Sequence, residues 1–314
     1  MFISICIPTY NEPGKIKKLL ESISIQTYKD YEIIVTDDST NELTRDVVVN
    51  DFKQLPLTYL KNQSPKGTPE NWNYAISMAK GEWVKLMHHD DWFNDAGSLG
   101  VFAKYAVNAC KGCGFIFCAY QNVHLNSNKI EKVFASSVNR FLLKKNPLIL
   151  FKKNIVGNPS CTMVKKTVSA TILFDKNLKW IVDFEYYIRL FNVSADVIYI
   201  KDILVNVGIH DKQVTAYTQL NPKVEIPEAL YFLHVHGTDT LKNIFVYDYY
   251  WRLIRNLNIR SMEQFNLYIG EPCRVVSIER IIKQQSRIKD TALKIGPFSK
   301  LLMSISFFKN FSRN

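Results

Sequence analysis

Residues 80–93 read KGEWVKLMHHDDWF. A strand-like run, Trp83 to Met87, ends in two imidazoles and two adjacent carboxylates: His88, His89, Asp90 and Asp91. Neighbouring carboxylates repel, and burying them without a partner is costly. A divalent cation removes that conflict, and hard ions such as Mg²⁺ or Mn²⁺ take a few carboxylates together with phosphate oxygens. The competing reading is an exposed turn or a helix N-terminus, because DDWFNDAG could also cap a following helix.

Four other places carry chemistry. In VTDDSTNE, Asp37 and Asp38 could accept from a base N–H or a ribose hydroxyl; the same residues also suit an Asx turn or an N-cap. SPKGTPENWN sets Lys66 and Gly67 before a helix start, where amides and one lysine would suit an anion. No GKS/T follows, so it is not a Walker loop, and a plain loop fits as well. WIVDFEYYIRL places Asp183 and Glu185 inside an apolar segment. On a helix Asp183 would share a face with Tyr186 and Tyr187 but not with Glu185. Such an acid can be tuned into a general base for a hydroxyl, or can simply cap the helix. His210, in VGIHDKQVT, could ligate a metal, bond a phosphate or serve structure alone.

The elements that must position these groups alternate. FISICIPTY, YEIIVTDD, LPLTYLKN and EWVKLMHH read as strands, and PGKIKKLLESISIQ, NELTRDVVVNDF and GTPENWNYAISMAKG as helices. In the third helix Thr68 is the expected N-cap, Pro69 the first residue and Gly81 the stop. Short connections argue for an α/β fold, a mostly parallel sheet covered on both faces, with ligands beyond the carboxyl ends of its strands. The polar clusters fall at those ends: Thr9, Tyr10, Asn11 and Glu12 after strand one, Asp37 to Thr40 after strand two, and His88 to Asp91 after strand four. Farther on, GFIFCAYQNVHL, CTMVKK and ADVIYIKDILVNVGIH read as strands and RFLLKKNPLILFKKN as helix. From about 222 the patterns turn helical, so a boundary near 220 is expected.

The 314 residues, 47% apolar and 22% charged, suit a folded globular chain. No apolar run reaches the roughly 18 residues of a spanning helix. The N-terminus has no basic region ahead of its apolar run and reads as a core strand, not a signal peptide. Of six cysteines only Cys110 and Cys113 form a CxxC, without a second half for zinc, so reduced thiols are expected. The net charge of +11 concentrates at the end, where residues 271–314 carry nine Lys/Arg against three acids. Such a tail favours an anionic partner.

In this order, SICIPTYNE, YEIIVTDDST, NWNYAISMAKGEWVKLMHHDDWF, WIVDFEYYIRL and IHDKQVT resemble the family 2 glycosyltransferases over roughly residues 2–215. The resemblance implies a GT-A fold: a Rossmann-like, mostly parallel central sheet flanked by helices, here with a C-terminal helical extension. It implies a transferase domain over 1–220, with a nucleotide-sugar half over about 1–110 and an acceptor half over about 111–220, followed by a basic helical region over 221–314. It further implies an inverting transfer from a nucleotide-diphosphate-sugar, a UDP-sugar foremost, to a glycan or lipid-linked acceptor of surface-polysaccharide synthesis. Pro8, Thr9, Tyr10 and Glu12 would line the nucleotide pocket, Asp37 would meet the base with Asp38 near it, and Asn73 and Lys66 would lie along the donor. His89 and Asp90 fall in the family's DxD region, and Asp90, Asp91 and His210 would hold Mn²⁺ or Mg²⁺. Asp183 matches the catalytic base, and Asn158 and Ser160 the acceptor side. The first acid of the DxD region is His88 here, and the acid often found before the base is Val182.

Two other readings stay open at this level. A nucleotidyltransferase would want a Gly-rich basic loop after strand one, where PTYNEPGK offers one glycine and one lysine. A non-catalytic scaffold of an assembly complex would keep the fold without the chemistry. The basic tail, with Leu301, Leu302, Phe307, Phe308 and Phe311, suits an interfacial helix. Attachment to the inner face of the cytoplasmic membrane is therefore expected, and a nucleic-acid partner is not. Oligomeric state is not readable, since IFVYDYYWRLI could pack a dimer or a core.

Overall fold

The computed structural model describes residues 2–127, 129–194, 196–211 and 213–311. They fall into two compact units, residues 1–147, 155–176 and 185–211, and residues 148–154, 177–184 and 212–314. Where a single cut near 220 is expected, two short internal segments thus group with the C-terminal part.

The first unit is built on nine strands: β1 (Ile3–Thr9), β2 (Tyr31–Asp37), β3 (Leu57–Lys61), β4 (Trp83–Leu86), β5 (Trp92–Phe93), β6 (Cys113–His124), β7 (Ile130–Val133), β8 (Thr162–Lys165) and β9 (Asp196–Ile209). Their order is β3-β2-β1-β4-β8-β6-β9-β5, with β7 paired to β6. The run β3-β2-β1-β4 is parallel, as is β6 with β9, while β8, β5 and β7 join antiparallel. All seven residues of β1 are buried, as befits a parallel strand covered on both faces. The helix Pro13–Ser24 turns Ile16, Leu19, Leu20 and Ile23 onto the sheet, where they join Ile5, Ile33 and Phe102 in one core.

The helix after β3 departs from its sequence reading. It spans Glu70–Met78, with Pro69 at the capping position and no side-chain cap, so Thr68 does not fill that role. It ends where Ala79 turns extended, two residues before Gly81. Gly81 serves close packing instead: a Cβ there would lie 2.7 Å from the Ser4 amide nitrogen on β1.

The second unit is helical, with Pro222–His236, Ile244–Asn256, Val276–Gln285 and Gly296–Phe311 as its longer members. Helix Ile244–Asn256 buries Tyr247, Tyr250 and Trp251, so its aromatic run makes a core. Trp251 Nε1 donates to Ser299 Oγ at 3.1 Å, and Arg252 to the Phe151 carbonyl at 2.6 Å. Glu228 accepts from the backbone N–H groups of Lys179, Trp180 and Ile181 at 2.8, 2.9 and 3.2 Å. One carboxylate thereby fixes the turn that leads into Asp183. Among the described residues, no helix is long and apolar enough to cross a membrane.

Candidate active site

The ends of β1, β4 and β9 meet through a chain of polar contacts. Glu12, just past β1, pairs with Lys15 at 3.1 Å. Lys15 Nζ lies 3.0 Å from His210 Nε2, just past β9. The same nitrogen is 3.0 Å from Asp90 Oδ2, in the turn after β4. Burial alone would raise the Asp90 carboxyl, but the hydrogen bond from His210 and the nearby His89 outweigh it, and the group is held below the usual carboxylate range. Asp90 is therefore an ionised carboxylate at the meeting point of three strand ends.

Asp91 has a different environment. It is 1% exposed, and accepts from Asn158 Nδ2 at 2.7 Å and from the Gly208 amide of β9 at 3.0 Å. Burial and the adjacent Asp90 charge push its carboxyl up. Gly208 lets β9 run this close, because a Cβ there would collide with the Asp90 carbonyl oxygen. The tandem acids thus differ: Asp91 is tied to β9 and Asn158, and Asp90 to His210. Neither caps the next helix; Asp95 does the local turn work, accepting from the Gly97 amide at 2.8 Å.

His88 lies against Trp72, ring centroids 4.7 Å apart, with its amide donating to Ser160 Oγ at 2.8 Å. Its buried Nε2 has no hydrogen-bond partner among the described residues. Burial pushes this imidazole down to about 4, so it is neutral. His89 Nδ1 lies 3.3 Å from the Pro8 carbonyl. His88, Asp90 and Asp91 can bring one ligand atom each within 4.8 Å of one another. The two carboxylates supply the oxygen donors that Mn²⁺ or Mg²⁺ takes, and the His88 nitrogen is the softer donor of the three. His210 stands beside Asp90 and not in that threesome.

Around the turn the predicted nucleotide residues divide. Thr9 is buried with Oγ1 lacking a partner among the described residues, and Tyr10 is 50% exposed. Asn11, at φ 49°, donates its amide to Ser39 Oγ at 2.7 Å and accepts from the Thr40 amide at 3.0 Å, tying the β1 and β2 loops together. Asp37, expected to meet a base, is fully buried. It makes an Asx turn with the Ser39 amide at 2.7 Å and accepts from Tyr59 Oη at 2.6 Å. Asp38 accepts from Asn62 Nδ2 at 2.7 Å and from the amides of Lys66 and Gly67 at 3.0 and 2.8 Å. The two amides read as an anion site are thus already taken by a carboxylate. Asn73 is likewise engaged, clamping both backbone groups of Phe174 at 2.8 and 2.9 Å.

Asp183 belongs to the second unit, in the first turn of the helix Val182–Val193. Its Oδ1 is buried without a hydrogen-bond partner among the described residues. Burial pushes the carboxyl up to about 7. Glu185, by contrast, is clamped by Arg189 with two contacts of 2.6 Å. Sequence reasoning missed Lys85, which is fully buried on β4 and donates to the Ser160 carbonyl. Its only signal was a charge in the middle of an apolar strand.

A profile described as glycosyl transferase family 2 matches residues 4–173. An uncharacterised glycosyltransferase of Rickettsia typhi is 26% identical over 235 residues, 73% of this chain and 70% of the relative. The Escherichia coli UDP-Glc:alpha-D-GlcNAc-diphosphoundecaprenol beta-1,3-glucosyltransferase WfaP is 36% identical over 91 residues, 29% of this chain and 36% of the relative. The first curated relatives are thus spanned over 30% to 70% of their own length. Among solved structures, a mannosyltransferase from Pyrobaculum calidifontis in complex with GDP-Man and Mn²⁺ superposes with a TM-score of 0.57 at 13% identity, covering 99% of this chain and 88% of that one. That likeness places the chain in the GT-A fold.

Proposed function

The chain belongs to glycosyl transferase family 2, a family of sugar-transferring enzymes, and from that premise we propose an inverting transfer from a nucleotide-diphosphate-sugar, a UDP-sugar foremost, to a hydroxyl of a lipid-linked or polysaccharide acceptor. The observation that carries this reading is the Glu12–Lys15–His210–Asp90 chain, which gathers an ionised carboxylate and two cationic or proton-donating groups at the ends of three strands. That is where an α/β sheet takes its ligand.

Tyr10, with an exposed ring, is assigned to stack on the base, and the unpartnered Thr9 hydroxyl to accept or donate a hydrogen bond from the nucleotide. Asp37 and Asp38 hold the loops that frame this pocket. A divalent cation held by Asp90, with His210 or His88 beside it, would offset the charge of the departing diphosphate. Lys15 adds a fixed positive charge close by. Asp183 is assigned the proton of the attacking hydroxyl on its own properties: a carboxyl that titrates near neutrality is matched to that task. One general base acting directly on the acceptor hydroxyl, with no covalent intermediate, accords with inversion.

The lipid-linked acceptor is favoured by the E. coli relative, whose name carries a diphosphoundecaprenol substrate. Peripheral attachment to a membrane follows from such an acceptor. The test is a panel of sugar nucleotides, followed for release of the nucleoside diphosphate with and without Mn²⁺ or Mg²⁺. Release from at least one donor, dependent on the ion, supports the proposal. Formation of a nucleotide-sugar from a sugar phosphate and a nucleoside triphosphate would replace it with nucleotidyl transfer.

A further inference from the structure

The helix Gly296–Phe311 has two apolar faces, one buried and one largely exposed to solvent. On the covered side Ser299, Met303 and Ser306 are buried. Phe307 and Phe311 meet the Tyr247 ring edge-on at 5.4 and 5.8 Å. Phe298, Leu301, Ile305 and Phe308 stand on the other side, at spacings of three, four and three residues. With 3.6 residues per turn these positions form one stripe along the helix. All four are exposed, by 41 to 60%. Of the tail residues singled out in the sequence, Leu301 and Phe308 therefore face outward, and Phe307 and Phe311 do not.

A stripe of four large apolar side chains facing water needs an occupant. Its surroundings select one. Lys294 and Lys309 are exposed near it, whereas Lys300 turns to Asp248 at 2.9 Å. Among described residues from 271 onward, eight Lys/Arg stand against three acids; Arg313 lies outside the described residues. A second copy docked stripe to stripe would bring two such basic regions together and be repelled. An anionic leaflet satisfies both features, taking the apolar side chains into the headgroup–acyl boundary and the ammonium groups among the lipid phosphates.

We propose that Phe298, Leu301, Ile305 and Phe308 form an interfacial docking surface for an anionic lipid bilayer. The inference deepens the functional reading, on which it rests for the lipid-anchored acceptor, but the surface itself is independent of the chemistry. The experiment is co-sedimentation of the full chain with phosphatidylcholine vesicles, with or without phosphatidylglycerol, at low and high salt. Binding to the anionic vesicles is expected, weakened by salt. Leu301→Ser with Phe308→Ser should lower the partition coefficient about tenfold or more, with the circular-dichroism spectrum and melting temperature unchanged. Lys294→Gln with Lys309→Gln should weaken binding to anionic vesicles only. Nucleoside diphosphate release is followed on the same samples, so loss of docking with release intact separates this surface from the reaction. A parent chain that stays in the supernatant, or a serine variant that binds like the parent, overturns the proposal. So does a parent dimer that the serine variant converts to monomer, since the stripe would then be a subunit interface.

Discussion

His210 Nε2 lies 3.0 Å from Asp90 Oδ2, although 120 residues separate the two in the chain. The contact joins the turn after β4 to the end of β9, and it exists because Gly208 lets β9 pass against the Asp90 carbonyl. Its consequence is chemical: the imidazole helps keep Asp90 ionised in a site whose burial would otherwise neutralise it.

Asp90→Ala removes the carboxylate that His210 hydrogen-bonds in the turn after β4. Transfer should fall by about a hundredfold or more, with the fold kept, since Asp91 still ties the turn to β9. His210→Ala should cost about tenfold and raise the ion concentration needed for half-maximal rate. Initial rates across an Mn²⁺ titration check both. An Asp90→Ala enzyme with parental rate and ion dependence would sink the assignment.

Asp183 gives a pH signature. Its carboxyl titrates near 7 in the fold, against about 3.9 in an unfolded chain. The base form fills as pH rises, so the turnover rate should climb through about pH 7 to a plateau, and Asp183→Asn should be slower by about 10²–10⁴-fold without that limb. Stability has the opposite sign. Because the folded value is raised, the group's contribution is whole below about pH 4 and is lost as pH passes 7. Asp183→Asn should therefore melt higher than the parent above neutrality. A rate limb that persists in the variant belongs to another group.

Asp91 is a structural acid, and its loss should be read in stability. Asp91→Ala strands Asn158 Nδ2 and the Gly208 amide in a buried site, at a cost of about 2–4 kcal/mol. Gly208→Ala forces apart β9 and the turn and should cost about 1–3 kcal/mol or more. Denaturant melts test both. If Asp91→Ala loses activity but no stability, the roles of the two acids are reversed.

Much of the fold was legible, and the reasons are local. Short, β-rich apolar runs marked β1 and β2, and the helical pattern of PGKIKKLLESISIQ marked the helix Pro13–Ser24. Asp90, His210 and Asp183 stand out in the sequence because polar, titratable groups inside or at the end of an apolar segment need an explanation. Other features were hidden because they depend on partners far away in sequence. That Asp38 holds the amides of Lys66 and Gly67, and that Asn73 holds the backbone of Phe174, could not be read from spacing. Gly81 reads as a helix stop and Gly208 as an ordinary strand residue, yet both act through backbones that only the tertiary structure brings near.

Asp38 offers a further test of that lesson. Asp38→Ala frees three donors, from Asn62, Lys66 and Gly67. The loop before Glu70 should loosen, raising the KM for the donor about three- to tenfold while the turnover rate changes less. A fall in turnover rate at constant KM would instead place Asp38 at the reacting centre.

The most direct measurement is calorimetric binding of UDP, GDP and dTDP to the parent, Asp90→Ala and Asp183→Asn chains, each with and without Mn²⁺, because it needs no acceptor. The expected result is that one nucleotide binds the parent at least about tenfold tighter with the ion, that Asp90→Ala loses this gain, and that Asp183→Asn keeps it. Ion-independent binding that survives Asp90→Ala unchanged, or no binding of any of the three by the parent, would contradict the assignment of Asp90 to a diphosphate-bound cation.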